Sequence, residues 1–330
     1  MPNNKYAMAA VILFAGWASS ASAGNEISPR IVGGQDAVLS DAPWQAAITI
    51  RRSGGTAFCG GVVIGIRWVL TAAHCLDLAS DNAAYSLAPA SAVSVYTGTA
   101  MINGADFGDF RSGVATTFAH RDYNKSNFSN DIALIQLSSD IHANASTVPL
   151  ANTTDQAVLD SNAGNNIQDL QLSGWGFINT FGTINTDVLQ KATLTAVRDD
   201  VCATNWATET NLDISTVDGY ENHHLCAEQS FTTVCNGDSG GPLVWNDNGV
   251  SKLVGIVSFG VRTENESCPI SQVPDVFTQV SHYANWIGRC QAGDCYSFTS
   301  LVSNEGNGGG SLGWLSLIPF GALALRRRLS

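Results

Sequence analysis

From Ile31 to about Val280 the chain is built from short apolar or alternating runs separated by Gly, Asn, Asp and Ser. QAAITI (45–50), GVVIGIRWVLTAA (61–73), DIALIQL (131–137), LQLSGWG (170–176), KATLTAV (191–197), PLVWN (242–246) and KLVGIVSFG (252–260) are the clearest. This spacing predicts antiparallel strands closed into a sandwich or barrel. No long helical periodicity appears before VSHYANWIGRC (280–290), where Val280, Ala284 and Ile287 share one face and predict a terminal helix. No internal repeat is present.

The two ends follow different patterns. Lys5, the apolar run Ala7 to Trp17 and then Ala21-Ser22-Ala23 read as a signal peptide over 1–23, cut after Ala23. The run is too short to span a bilayer. Residues 291–310, rich in Gly, Ser and Asn, read as a flexible linker. Residues 311–330 hold 14 apolar-patterned positions from Leu312 to Leu325, followed by Arg326, Arg327 and Arg328. That is short for a full transmembrane helix, and the arginines suit a cytoplasmic stop.

Composition narrows the class. The chain has 330 residues, 45% hydrophobic and 13% charged, which excludes wholesale disorder. A net charge of −12 argues against a nucleic-acid binder and is read as solubility. Eight cysteines in an exported chain predict disulfides. No C-x-x-C pair occurs, so a zinc ribbon or a thioredoxin-type site is not indicated. His223-His224 reads as solvated loop rather than a metal site.

Three segments carry catalytic residue types: TAAHC with His74, SNDIALIQL with Asp131, and GDSGG with Ser239. A serine hydroxyl is a poor nucleophile until a base within hydrogen-bond reach takes its proton, and the base needs an orienting group. Histidine fits the base because its pKa lies near working pH. Gly237 to Gly241 also fits the G-x-S-x-G elbow, but that arrangement runs Ser, acid, His. Here base and acid both precede Ser239, and only His282 follows it.

These segments, with IVGG (31–34), PWQAAI (43–48), FCGG (58–61), NDIAL (130–134), GWG (174–176), CNGDSGGP (235–242), VSFG (257–260) and VPDVFTQV (273–280), resemble the trypsin/chymotrypsin family of serine endopeptidases, in family order over some 250 residues. The resemblance implies an all-β fold of two six-stranded antiparallel barrels plus the C-terminal helix, with the site in the cleft between them. It implies His74 as general base, Asp131 as its orienting group and Ser239 as nucleophile. The Gly237 and Ser239 N–H groups would form the oxyanion hole. Ser258 would bond Asp131, and backbone 258–260 would pair with substrate as an added strand. It further implies Cys59–Cys75, Cys202–Cys226 and Cys235–Cys268, leaving Cys290 and Cys295 for each other beyond the family core. No cofactor or metal is called for. A non-catalytic relative with this fold is the alternative.

SPRIVGG resembles a zymogen junction. It implies a propeptide over 24–30, a protease domain over 31–290, and cleavage after Arg30 by another protease or by self-activation. The freed Ile31 ammonium would then pair with Asp238. Trypsin-like members carry aspartate at the pocket floor where this chain has Thr233, and glycine where it has Asp275. Gly260 leaves the pocket entrance open. The expectation is cleavage after Arg or Lys with broadened tolerance; a chymotrypsin-like preference for apolar residues is the alternative.

The tail from 306 resembles the GlyGly-CTERM sorting signal of Gram-negative bacteria. That implies type II secretion and a rhomboid-type sorting protease. The protein would be transiently held at the inner membrane, then secreted or attached at the cell surface. A permanent anchor is the rival. Protein or peptide substrates and a monomer complete the expectations.

Overall fold

Alternation of burial writes the strands directly. In Val93–Thr97 the residues Val93, Val95 and Thr97 are buried while Ser94 and Tyr96 are not. Gln190–Val197 buries Gln190, Ala192 and Leu194 in the same rhythm. Period-two burial lets one face of each strand enter a core. The computed structural model describes residues 31–301 apart from 80–82, 163–169, 211–212 and 218. The signal peptide and propeptide read over 1–30, and the sorting tail, lie outside the described residues.

Two antiparallel sheets curl into two barrels. One runs in the order Ser297–Leu301, Val114–His120, Ala133–Leu137, Trp68–Thr71, Gly55–Gly65, Gln45–Arg52, Val93–Thr97, Arg111–Ser112. The other runs Gln35–Asp36, Gln190–Val197, His224–Glu228, Asp275–Gln279, Val250–Phe259, Pro242–Asp247, Leu170–Gly174, and the last strand pairs back onto Gln190–Val197 to close the ring. Among the described residues each barrel thus has six principal strands. Two-residue strands at one edge of each and the strand Ser297–Leu301 are additions.

The first barrel is filled by Ile48, Val62, Leu70, Leu134 and Ile135, and the second by Leu172, Leu194, Leu243, Val257 and Phe277. The terminal helix Val280–Gln291 packs on the first barrel through Val280, Tyr283, Trp286, Ile287 and Cys290, with Ala284 only half-buried. A chain that starts the second barrel thereby ends on the first and ties them together.

Two helices escaped the sequence pattern, Thr153–Asn162 and Asp199–Thr210. The second buries only Cys202 and Trp206 and is held by the Cys202–Cys226 bridge and by Trp206 Nε1 donating to Pro274 O at 3.0 Å. Two inward residues are too sparse to register as a periodic stripe.

The linker reading of 291–310 is corrected over Ser297–Leu301. This segment pairs antiparallel with Val114–His120, Ser297 opposite His120 and Leu301 opposite Thr116. The Cys290–Cys295 bridge turns the chain back after the helix, and Trp286 Nε1 donates to Tyr296 O at 2.9 Å. An open strand edge offers backbone donors and acceptors that any sequence can satisfy, so composition did not reveal the pairing.

Candidate active site

The strand Trp68–Thr71 drives into the first barrel, and Ala72, Ala73 and Cys75 continue it buried. A single turn, His74–Leu76, then swings His74 to the surface of the cleft, with its side chain 23% exposed. The bridge from Cys75 to Cys59 on Gly55–Gly65 fixes that turn.

Asp131 lies just before Ala133–Leu137 and is fully buried. Its carboxylate accepts three hydrogen bonds: His74 N at 2.9 Å, His74 Nδ1 at 2.7 Å and Ser258 Oγ at 2.6 Å. Thr278 Oγ1 donates to the Asp131 carbonyl at 2.8 Å. A charge without water needs such donors. The bond to Asp131 assigns the imidazole proton to Nδ1 and leaves Nε2 as the basic nitrogen.

Ser239 comes from the second barrel, in the turn before Pro242–Asp247. Its carbonyl accepts from Gly60 N at 2.8 Å, which pins the turn to the first barrel. Gly240, at φ +78°, must be glycine: a Cβ there would stand 2.1 Å from Thr71 Oγ1. Gly237, at φ +103°, is in the left-handed region that favours glycine. Among the described residues, neither the Gly237 nor the Ser239 N–H donates a protein hydrogen bond. Free donors at Ser239 itself and two residues before it are what an oxyanion would need. Ser239 and His74 line one cleft of about 670 Å³. No hydrogen bond joins Ser239 Oγ to His74 Nε2, and substrate-free catalytic contacts are commonly loose.

Asp238 is buried and faces inward. Its two oxygens accept from Gly176 N at 2.8 Å and Cys235 N at 3.0 Å, and loss of water pushes its pKa up to about 6. No cationic side chain pairs with it among the described residues. Ile31 is buried in the same barrel's core, and Val32 pairs with Thr233. Ile31 holds φ +28°, an outlier for a β-branched residue.

Asp275 meets Thr233, the residue expected at the pocket floor. Thr233 Oγ1 donates to its Oδ1 at 2.8 Å and Val234 N to its Oδ2 at 3.0 Å. It is 4% exposed, and burial raises its pKa to about 7 against those two bonds. A Cβ on Gly260 would lie 2.8 Å from Oδ1, so the carboxylate stands directly behind the cleft wall. Thr233 and Asp275 themselves line not the His74–Ser239 cleft but a separate hollow beside Glu228.

The cysteines form four bridges, Cys59–Cys75, Cys202–Cys226, Cys235–Cys268 and Cys290–Cys295, and none is free. The solvated-loop reading of His223-His224 is corrected at His224. It opens the strand His224–Glu228, is 1% exposed and packs against Tyr220 and Phe259. Burial lowers its pKa to about 4, so it is neutral near pH 7. The sequence reading also passed over Phe128, Trp206 and Phe259, which line the cleft, and Arg52 and Arg262 at its rim. Single aromatics and arginines contributed by different strands, helices and loops carry no spacing signal.

Two antiparallel barrels with His74 and Asp131 on one and Ser239 on the other have the architecture of chymotrypsin-like serine protease domains. The trypsin family profile matches residues 31–287, and the chain belongs to that family. Bovine coagulation factor XI is 30% identical over 274 residues, which cover 79% of this chain and 38% of that protein. The chain therefore matches well under half the length of that relative. In fold it is similar to the crystal structure of scabies mite inactivated protease paralogue S-D1, with a TM-score of 0.62 and 23% identity over 81% of this chain and 99% of that one.

Proposed function

We propose that this chain is an exported serine endopeptidase that cleaves peptide bonds through an acyl-enzyme. The observation that carries the reading is His74, held by a fully bonded buried Asp131, sharing a cleft with Ser239. Ser239 Oγ attacks the substrate carbonyl as its proton passes to His74 Nε2. The oxyanion takes hydrogen bonds from Gly237 N and Ser239 N. The C–N bond breaks, His74 gives the proton to the leaving amine, and water repeats the sequence on the acyl-enzyme.

Asp275 behind Gly260 favours a long cationic side chain at the primary position. Its oxygens already serve Thr233 and Val234, so the attraction is shared and apolar residues are tolerated. The chain is made latent: while it is continuous through Arg30, Ile31 has no ammonium to offer Asp238. Cleavage there, by another protease or by a second copy, supplies the cation a buried carboxylate lacks. The signal peptide, four disulfides and the glycine-rich tail with its arginines support export from a bacterial cell with removal of the tail.

The test is peptide hydrolysis by protein recovered from the growth medium. Wild type should cleave Arg- and Lys-containing peptides, and Ser239→Ala should lower kcat at least about 10⁴-fold. Mass mapping of the same preparation should find an N-terminus at Ile31 and a C-terminus near Gly310. A folded, correctly cut but inert wild type would favour a non-catalytic binding protein, and a product still ending at Ser330 would count against tail removal.

A further inference from the structure

The chain has an excess of carboxylates, and they neutralise six of the cations among the described residues. Arg67, Lys191, Arg198, Lys252 and Arg289 each meet an aspartate at 2.6 to 3.1 Å. Lys125 in the cleft wall is likewise paired with Asp77 at 2.7 Å. Among the described residues five arginines meet only neutral groups: Arg51 on Ser91 O, Arg111 on Ser94 Oγ, Arg121 over the Tyr296 ring and, in the cleft itself, Arg52 and Arg262. Arg52 donates from Nη2 to the Cys75 carbonyl at 3.3 Å, and Arg262 donates from Nη2 to Asn236 Oδ1. Both partners are neutral, and both arginines are exposed. Among the described residues no carboxylate pairs with either.

Their positions bracket the reacting atoms. Arg262 lies two residues beyond Gly260, at the end of the stretch proposed to bind the acyl side of the substrate, and it rests on Asn236, three residues before Ser239. Arg52 rests on the residue after His74, in the other barrel. His74 hands its proton to the leaving amine, so Arg52 stands on the leaving-group side. An extended peptide in the cleft passes one uncompensated guanidinium on each side of the scissile bond. A guanidinium held by a neutral acceptor keeps donors free for a carboxylate in forked geometry.

We propose that Arg52 and Arg262 make this a protease for sites flanked by acidic residues, Arg262 reading Asp or Glu on the amino side of the scissile bond and Arg52 reading them on the carboxyl side. The proposal rests on the peptidase reading above. It adds a second requirement, independent of the primary pocket, and it selects substrates locally although the molecule carries a net charge of −12. The ion pairs are at an exposed rim, so each is modest and screened by salt.

The experiment uses the cut, active protein and matched fluorogenic peptides with one fixed scissile pair. Glu, Gln or Lys is placed at each of the three flanking positions on either side. Wild type should favour Glu over Gln by roughly three- to ten-fold in kcat/KM, carried by KM, with the advantage shrinking in about 0.5 M salt. Arg262→Gln should bring the Glu:Gln ratio to about one on the amino side alone, and Arg52→Gln on the carboxyl side alone. Arg→Glu at either place should reverse the preference toward Lys on that side, and thermal melting checks that each variant is folded. Cleavage of Glu, Gln and Lys peptides at equal rates, or a preference that both substitutions leave intact, overturns the proposal while leaving the peptidase reading in place. Failure to cleave any of the peptides overturns the peptidase reading itself.

Discussion

A carboxylate that exchanges water for one hydroxyl and one amide donor holds its proton more tightly than one in solvent. Asp275 is in that position, and its pKa rises from 3.8 to about 7. The proposed pocket floor is therefore mostly neutral below that pH and anionic above it. The ratio of kcat/KM for an Arg substrate over a Leu substrate should rise as pH increases through about 7, and Asp275→Asn should flatten it. Proton steps common to both substrates cancel in the ratio. A wild-type ratio constant from roughly pH 5.5 to 8.5 would contradict the placement of the charge. The residues proposed to carry the chemistry were legible because His74, Asp131 and Ser239 each sit inside a distinctive local segment. The residues that support them were not. Thr278 reaches the Asp131 carbonyl from 147 positions away, and His224 is buried by strand pairing opposite Thr278. Only the closed barrel creates either contact.

At the scale of elements, period-two burial made the long strands legible, and one apolar face gave the terminal helix. Asp199–Thr210 and Ser297–Leu301 were hidden because a disulfide and main-chain pairing hold them, and neither leaves a stripe of apolar residues. The last of these has a measurable role. The Cys290–Cys295 loop aims the chain at the edge of Val114–His120, and Arg121 lies over the Tyr296 ring at 5.1 Å. The segment works as a strap across the first barrel. Truncation after Leu301 should leave the melting temperature unchanged. Truncation after Gln291 with Cys290→Ser should lower it by roughly 4–8 °C, the scale of one short-loop disulfide in a domain of this size. Equal melting of the two truncations would show that the strap carries no load.

At the scale of the whole molecule, the described residues form two barrels with one candidate active site, whose proposed latency is set from the start of the family domain. Asp238 is one residue from Ser239, and its pKa is raised from 3.8 to about 6 because only backbone donors accompany it inside the protein. Its ionised form destabilises the uncut fold. That cost is absent below about pH 4 and complete above about pH 6, the range in which an exported enzyme would work. In the proposed activation an ammonium released at Ile31 would remove the cost by pairing, and so link the cut at Arg30 to the geometry of Gly237 and Ser239. The central claim is thus that Ser239 is an activated nucleophile only after that cut. Labelling with a fluorophosphonate, read by peptide mass mapping, tests it most directly. Protein beginning at Ile31 should carry one adduct on Ser239, while the Arg30→Gln precursor treated identically should carry none. An unlabelled Ser239 in cut, folded protein, or equal labelling of the Arg30→Gln precursor, would contradict the account.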